Sequence, residues 1–118
     1  MNHDVGAYLA GKPAAAVELF KRSSTMVLEA GECEERVHPS DLAWADKRVF
    51  AAAFIQSGRL GIAIDMLRQV EHPTLLEGFA TTKKVYTHRF KIESPEDLDG
   101  RIRDWLVEAQ DTVGPGTR

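Results

Sequence analysis

Lys84-Val85-Tyr86-Thr87-His88-Arg89-Phe90-Lys91-Ile92-Glu93-Ser94-Pro95-Glu96-Asp97-Leu98 is the stretch that decides the fold. Tyr86, His88, Phe90 and Ile92 alternate with Thr87, Arg89 and Lys91, which predicts a strand with one apolar and one polar side. A helix start follows at once. Ser94 is the expected N-cap and Pro95 the first helical residue, while Glu96 and Asp97 suit the positive end of the helix dipole. Asp97, three residues after Ser94, completes a capping box. Leu98, Ile102, Trp105, Leu106 and Ala109 then recur at helical spacing, predicting a buried stripe on a helix that runs to about Val113.

Upstream, a hairpin is the clearest signal. Arg48–Gln56 and Arg59–Met66 are two largely apolar runs joined by Ser57-Gly58, a good hairpin junction. Its register stays open. A two-residue turn sets Phe54 opposite Gly61 and puts Val49, Ala51, Ala53, Ile55, Leu60, Ile62 and Ile64 on one face. A turn with one bulged residue sets Phe54 opposite Leu60 and gathers Ala51, Ala53, Gly61 and Ala63 on one face. A one-residue slip moves every side chain across the sheet. Before the hairpin, Cys33–His38 reads as a charged edge strand and Leu42–Ala45 as a second short strand. Earlier still, Pro13 opens a helix through Ala14-Ala15-Ala16 to Ala30, with Gly31 at its end. The expected buried face of that helix is Val17, Phe20, Ser24, Val27 and Leu28. Residues 67–83 carry no clear period, because Pro73 and Gly78 interrupt Leu75, Leu76 and Phe79; a short helix or a packed loop is expected. The whole predicts an α+β domain over residues 1–113, with 114–118 as a disordered tail. Its antiparallel sheet has about five strands, flanked by an N-terminal and a C-terminal helix packed on one face.

The chain has 118 residues, 43% hydrophobic and 28% charged, which suits one domain with a real core. Fifteen Lys and Arg against eighteen Asp and Glu give a net charge of −3. That argues against strong non-specific nucleic-acid binding, which depends on neutralising phosphates. One cysteine, Cys33, rules out an internal disulfide. No stretch has a signal-peptide layout or the apolar length of a membrane span, so a soluble cytoplasmic protein with no membrane contact is expected.

Candidate chemistry is sparse. His88 lies between Tyr86 and Phe90 on the apolar side of its strand. It is either a weak acid–base candidate or a core histidine satisfied by its neighbours. Lys83, Lys84, Arg89 and Lys91 place four positive charges in nine residues; they form a phosphate-contacting strand or an ordinary solvated face. Tyr86 and Phe90 point the other way, so no stacking platform accompanies those charges. Arg48 and Arg59 at the hairpin ends are further binding candidates. Trp44 is a core residue or, if exposed, an interface anchor. The small residues of the hairpin admit a close approach by a ligand, a partner chain or one of the chain's own helices. His3, Asp4, His38, His72, His88 and Cys33 are scattered, with no two ligands at metal-binding spacing, so neither a metal nor a cofactor is expected. Glu32, Glu34 and Glu35 beside Cys33 should raise its pKa and disfavour a nucleophilic role.

Tyr8-Leu9-Ala10-Gly11-Lys12-Pro13, the helix through Leu19-Phe20 to Gly31, Arg48-Val49-Phe50-Ala51, Thr87-His88-Arg89-Phe90-Lys91-Ile92, Ser94-Pro95-Glu96-Asp97-Leu98-Asp99 and Trp105-Leu106 together resemble a bacterial domain of unknown function, numbered 5655. The resemblance covers nearly the whole chain and matches least over residues 67–83. It implies an accessory binding role around nucleic acid, since related domains occur alone and joined to nuclease-like domains. It brings no established catalytic residues. The leading expectation is a small binding or interaction module without its own catalysis, self-associating as a homodimer. The alternatives are a nucleic-acid accessory domain using the strand around Lys84–Lys91, a module for another protein partner, and a small-molecule enzyme with His88 as acid–base.

Overall fold

The computed structural model describes residues 5–56 and 58–116. Two N-terminal helices, α1 (Val5–Leu9) and α2 (Ala14–Ala30), precede the strands β1 (Glu34–Val37), β2 (Leu42–Ala45), β3 (Val49–Gln56), β4 (Arg59–Met66), β5 (Leu75–Ala80) and β6 (Tyr86–Ile92). A 3-10 turn (Pro95–Asp97) and α3 (Gly100–Thr112) close the chain. The strands form one antiparallel sheet of six in the order β1-β2-β3-β4-β6-β5. The sixth strand, beyond the expected five, is β5. It arises inside the stretch read as a short helix or loop and pairs outside β6 rather than with β4.

The hairpin takes the two-residue turn. Phe54 pairs with Gly61, Ala53 with Ile62 and Ala51 with Ile64. Gly58 sits at φ +79°, a conformation that L side chains rarely adopt. Ser57 lies outside the described residues. This register divides the small residues. Ala51 and Ala53 face the helices, while Gly61 and Ala63 face away together with Ala52, so the all-small face of the alternative register does not exist.

α2 and α3 pack against each other and against β3 and β4. The core between helices and sheet holds Phe20, Trp44, Phe50, Leu60, Ile62, Ile64, Phe90, Ile92, Ile102 and Leu106. The buried stripe of α2 is Ala16, Leu19, Phe20, Ser23, Met26 and Val27, rotated by about one residue from the predicted one; Leu28 is exposed. The cause is Ser23. Its hydroxyl donates to the Leu19 carbonyl at 2.9 Å, so a polar residue is satisfied inside the core. The helix start at Ser94 also needs correcting. The Asp97 carboxylate accepts the amides of Glu93 and Ser94 at 2.9 and 3.2 Å, but this organises only the 3-10 turn. α3 begins at Gly100, capped by Asp99, whose side chain accepts the Ile102 amide at 3.0 Å. Gly114 is buried, and its carbonyl accepts the amides of Lys47 and Arg48, both at 2.9 Å. Residues 117–118 lie outside the described residues.

Candidate functional site

Directly paired residues of an antiparallel sheet share a face. The pairs Gly61–Lys91, Ala63–Arg89 and Asp65–Thr87 therefore stand on the side opposite Ile62, Ile64, His88 and Phe90. Phe54, Gln56 and Ala52 join them from β3, and Glu77 and Phe79 from β5. Among the described residues no helix covers this side. At its centre it is flat, because Ala52, Gly61 and Ala63 offer little or no side chain. Phe54 lies across Gly61, where an added Cβ would stand 2.3 Å from the ring. The Arg89 guanidinium sits 5.8 Å from the centroid of that ring, within cation–π range. Phe79 is 41% exposed on the same side.

Charged pairs surround this centre. Arg48 Nη1 lies 3.3 Å from Asp65 Oδ2, and the Thr87 hydroxyl donates to Asp65 Oδ1 at 2.7 Å. Thr87 in turn contacts the Thr81 hydroxyl. Arg89 stands 3.9 Å from Glu77, and Lys91 3.6 Å from Glu93. Arg59 is exposed beside Gln56 at the hairpin end, and Lys84 is exposed in the turn before β6. Of the sequence candidates, Arg48, Arg59, Arg89 and Lys91 are thus brought to one face, and Arg48, Arg89 and Lys91 each stand beside a carboxylate.

His88 and Trp44 are not on this face. His88 has no exposed surface and sits opposite Ile64. Its Nε2 accepts the Val70 amide at 3.1 Å and its Nδ1 lies 3.4 Å from the Ile64 carbonyl, the geometry of a neutral ring carrying its proton on Nδ1. Gly78 of β5 pairs with it, and a Cβ there would stand 3.2 Å from ring Cδ2, a tight contact. Both nitrogens are engaged within the fold, so the acid–base role loses its geometric support. Trp44 is fully buried, with Nε1 donating to Glu35 at 3.0 Å. It is a core residue and not an exposed anchor.

His72, which the sequence offered only as a scattered ligand, has a defined place. Its Nδ1 accepts the Thr74 amide at 3.1 Å and lies 2.8 Å from the Thr74 hydroxyl; Nε2 lies 2.9 Å from Asp99 Oδ2. Burial alone would raise the Asp99 pKa, but the Ile102 amide, His72 and Arg101 together hold the carboxyl below its usual range. Cys33 is held above its usual pKa by partial burial first, then by Glu35 and Asp46, the direction expected from its acidic neighbours. An open groove of about 450 Å³ between α2 and the start of α3 is lined by charges of both signs, Lys21, Arg22 and Arg103 with Glu18 and Glu29, and contains none of the sequence candidates.

The residues that sequence reasoning missed are Phe54 and Phe79. A signal for Phe54 existed: a phenylalanine facing a glycine across two strands is a recognised way to cover the gap a glycine leaves. Phe79 lay in the unreadable stretch. Among the described residues no group of three His, Cys, Asp or Glu could hold a metal ion, and no helix is long and apolar enough to cross a membrane; His3 and Asp4 lie outside those residues. A family model described as a domain of unknown function (DUF5655) matches residues 5–113, from the first residue of α1 to just past α3. No curated protein and no solved structure matches.

Proposed function

We propose, for a chain that belongs to the DUF5655 family of domains of unknown function, a binding module without its own catalysis that docks a partner on the open sheet face. One observation carries this reading. At the centre of that face Ala52 and Ala63 present only methyl groups, and the Phe54 ring lies across Gly61 with the Arg89 guanidinium beside it. A flat apolar centre inside a charged rim is how interfaces are built. Charges of both signs on the rim favour a protein partner over a uniformly acidic one. Ala63→Arg places a long cation in the centre without touching the core. It should leave thermal unfolding within a few degrees of wild type and abolish co-purification of the partner. Retained co-purification counts against the face.

A second reading follows from Phe54, Phe79, Arg59, Arg89 and Lys91 on one strand surface. Aromatic rings interleaved with cations on an open sheet are the elements of a single-strand nucleic-acid platform. That reading predicts oligonucleotide affinity that falls steeply with salt and falls again in Arg89→Glu. Binding indifferent to salt, or absent at low ionic strength, removes it.

A further inference from the structure

We propose that a second copy of this chain pairs antiparallel along the β5 edge, continuing the sheet from one copy into the other. This rests on the reading of the domain as an interaction module, but uses a different surface. The sheet has two edges, and they are unlike. β1 carries Glu34, Glu35 and Arg36 in its four residues, a charged edge that resists pairing. β5 carries one charge, Glu77, and exposes Leu76 at 60% and Phe79 at 41%. It contains neither proline nor lysine.

The backbone of β5 is available for pairing. Thr81 donates to the Val85 carbonyl at 2.8 Å, which marks a hydrogen-bonded pair at that position. Bonded pairs alternate with non-bonded ones along an antiparallel ladder. Phe79 opposite Thr87 and Glu77 opposite Arg89 therefore bond inward to β6. Gly78 and Ala80 then turn their N–H and C=O groups outward, into solvent.

Charge selects the occupant. The edge is acidic at Glu77 and basic just beyond its end, at Lys83 and Lys84. Antiparallel pairing of two copies lays the acidic end of each beside the basic end of the other, whereas parallel pairing sets like beside like. A two-fold axis through Phe79 lets Gly78 of each copy exchange backbone hydrogen bonds with Ala80 of the other. It sets the two Phe79 rings opposite each other at a non-bonded position, where side chains come closest. Glu77 then lies opposite Thr81 of the second copy, two residues from Lys83 in the turn that follows β5. The symmetry closes, so the product is a dimer rather than a filament. Because the axis is normal to the sheet, both open faces point the same way and become continuous.

Sedimentation velocity on the intact chain over a wide concentration range tests this. Wild type should dimerise. Leu76→Lys should give a monomer with unchanged thermal unfolding, since Leu76 is exposed. Glu77→Lys should weaken the dimer at least tenfold, and Glu77→Lys with Lys83→Glu should restore it. A wild type that stays monomeric, or a dimer indifferent to Leu76→Lys and to the charge swap, overturns the proposal. Ala63→Arg should leave the dimer intact. A monomeric wild type that still captures its partner through Ala63 would strike the edge pairing alone, leaving the open-face reading standing.

Discussion

At the scale of single residues, two buried imidazoles do what periodicity does elsewhere in this chain. His88 accepts the Val70 amide, and His72 accepts the Thr74 amide while meeting Asp99. Between them they fix the path from β4 to β5 and tie it to the start of α3. His88→Ala leaves a cavity and an unpaired Val70 amide. It should cost about 2–4 kcal/mol, read from urea unfolding. An effect under ~1 kcal/mol would mean that His88 is not sealed as described. Asp99 caps α3 and holds His72; Asn caps a helix as well as Asp, so Asp99→Asn removes only the charge facing the helix start and His72 and should destabilise by about 0.5–1 kcal/mol at neutral pH. The sign of its pH dependence follows from its depressed pKa. The folded carboxyl titrates below its unfolded value, so its contribution is complete above the unfolded value and is lost as pH falls through the folded one. The stability gap between wild type and Asp99→Asn should therefore shrink on acidification from pH 7 to pH 3. A constant gap would show that the charge is not what matters.

At the scale of elements, legibility tracked repetition. The hairpin, the closing strand and both long helices were readable because each repeats an apolar position often enough to set its period. Where one polar residue was satisfied locally, the phase slipped. Ser23 bonds the Leu19 carbonyl and belongs to the buried stripe of α2, so a stripe counted on apolar residues alone came out turned. The Ser94 signature was real but served a 3-10 turn, and the cap of α3 stood five residues on at Asp99. β5 was illegible for a different reason. An edge strand, largely exposed, needs no alternation, and its placement depends on histidine contacts from distant positions. The candidate cations were legible as a cluster; their aromatic companions were not, because Phe54 took its face from a register that a single turn residue decides. Gly58→Ala tests that register. A side chain at φ +79° should cost about 1 kcal/mol and leave the pairing unchanged. Cross-strand contacts between the Phe54 ring and Gly61 Hα, seen by NMR, should persist; contacts from Phe54 to Leu60 instead would mean a slipped hairpin.

At the scale of the whole molecule, the helices among the described residues gather on one side and leave the other side of a six-stranded sheet bare. The covered side uses its polar groups internally: His88, His72, Trp44 and Ser23 all have partners within the fold. The bare side keeps a flat centre and a charged rim, and it is where we place the function. The most direct measurement is photo-crosslinking in cells from a reactive residue at Ala63, with the same residue at exposed Asp104 on α3 as control. The account predicts a discrete adduct from Ala63 that Asp104 does not give. No adduct from Ala63, or the same adduct from both positions, would contradict it.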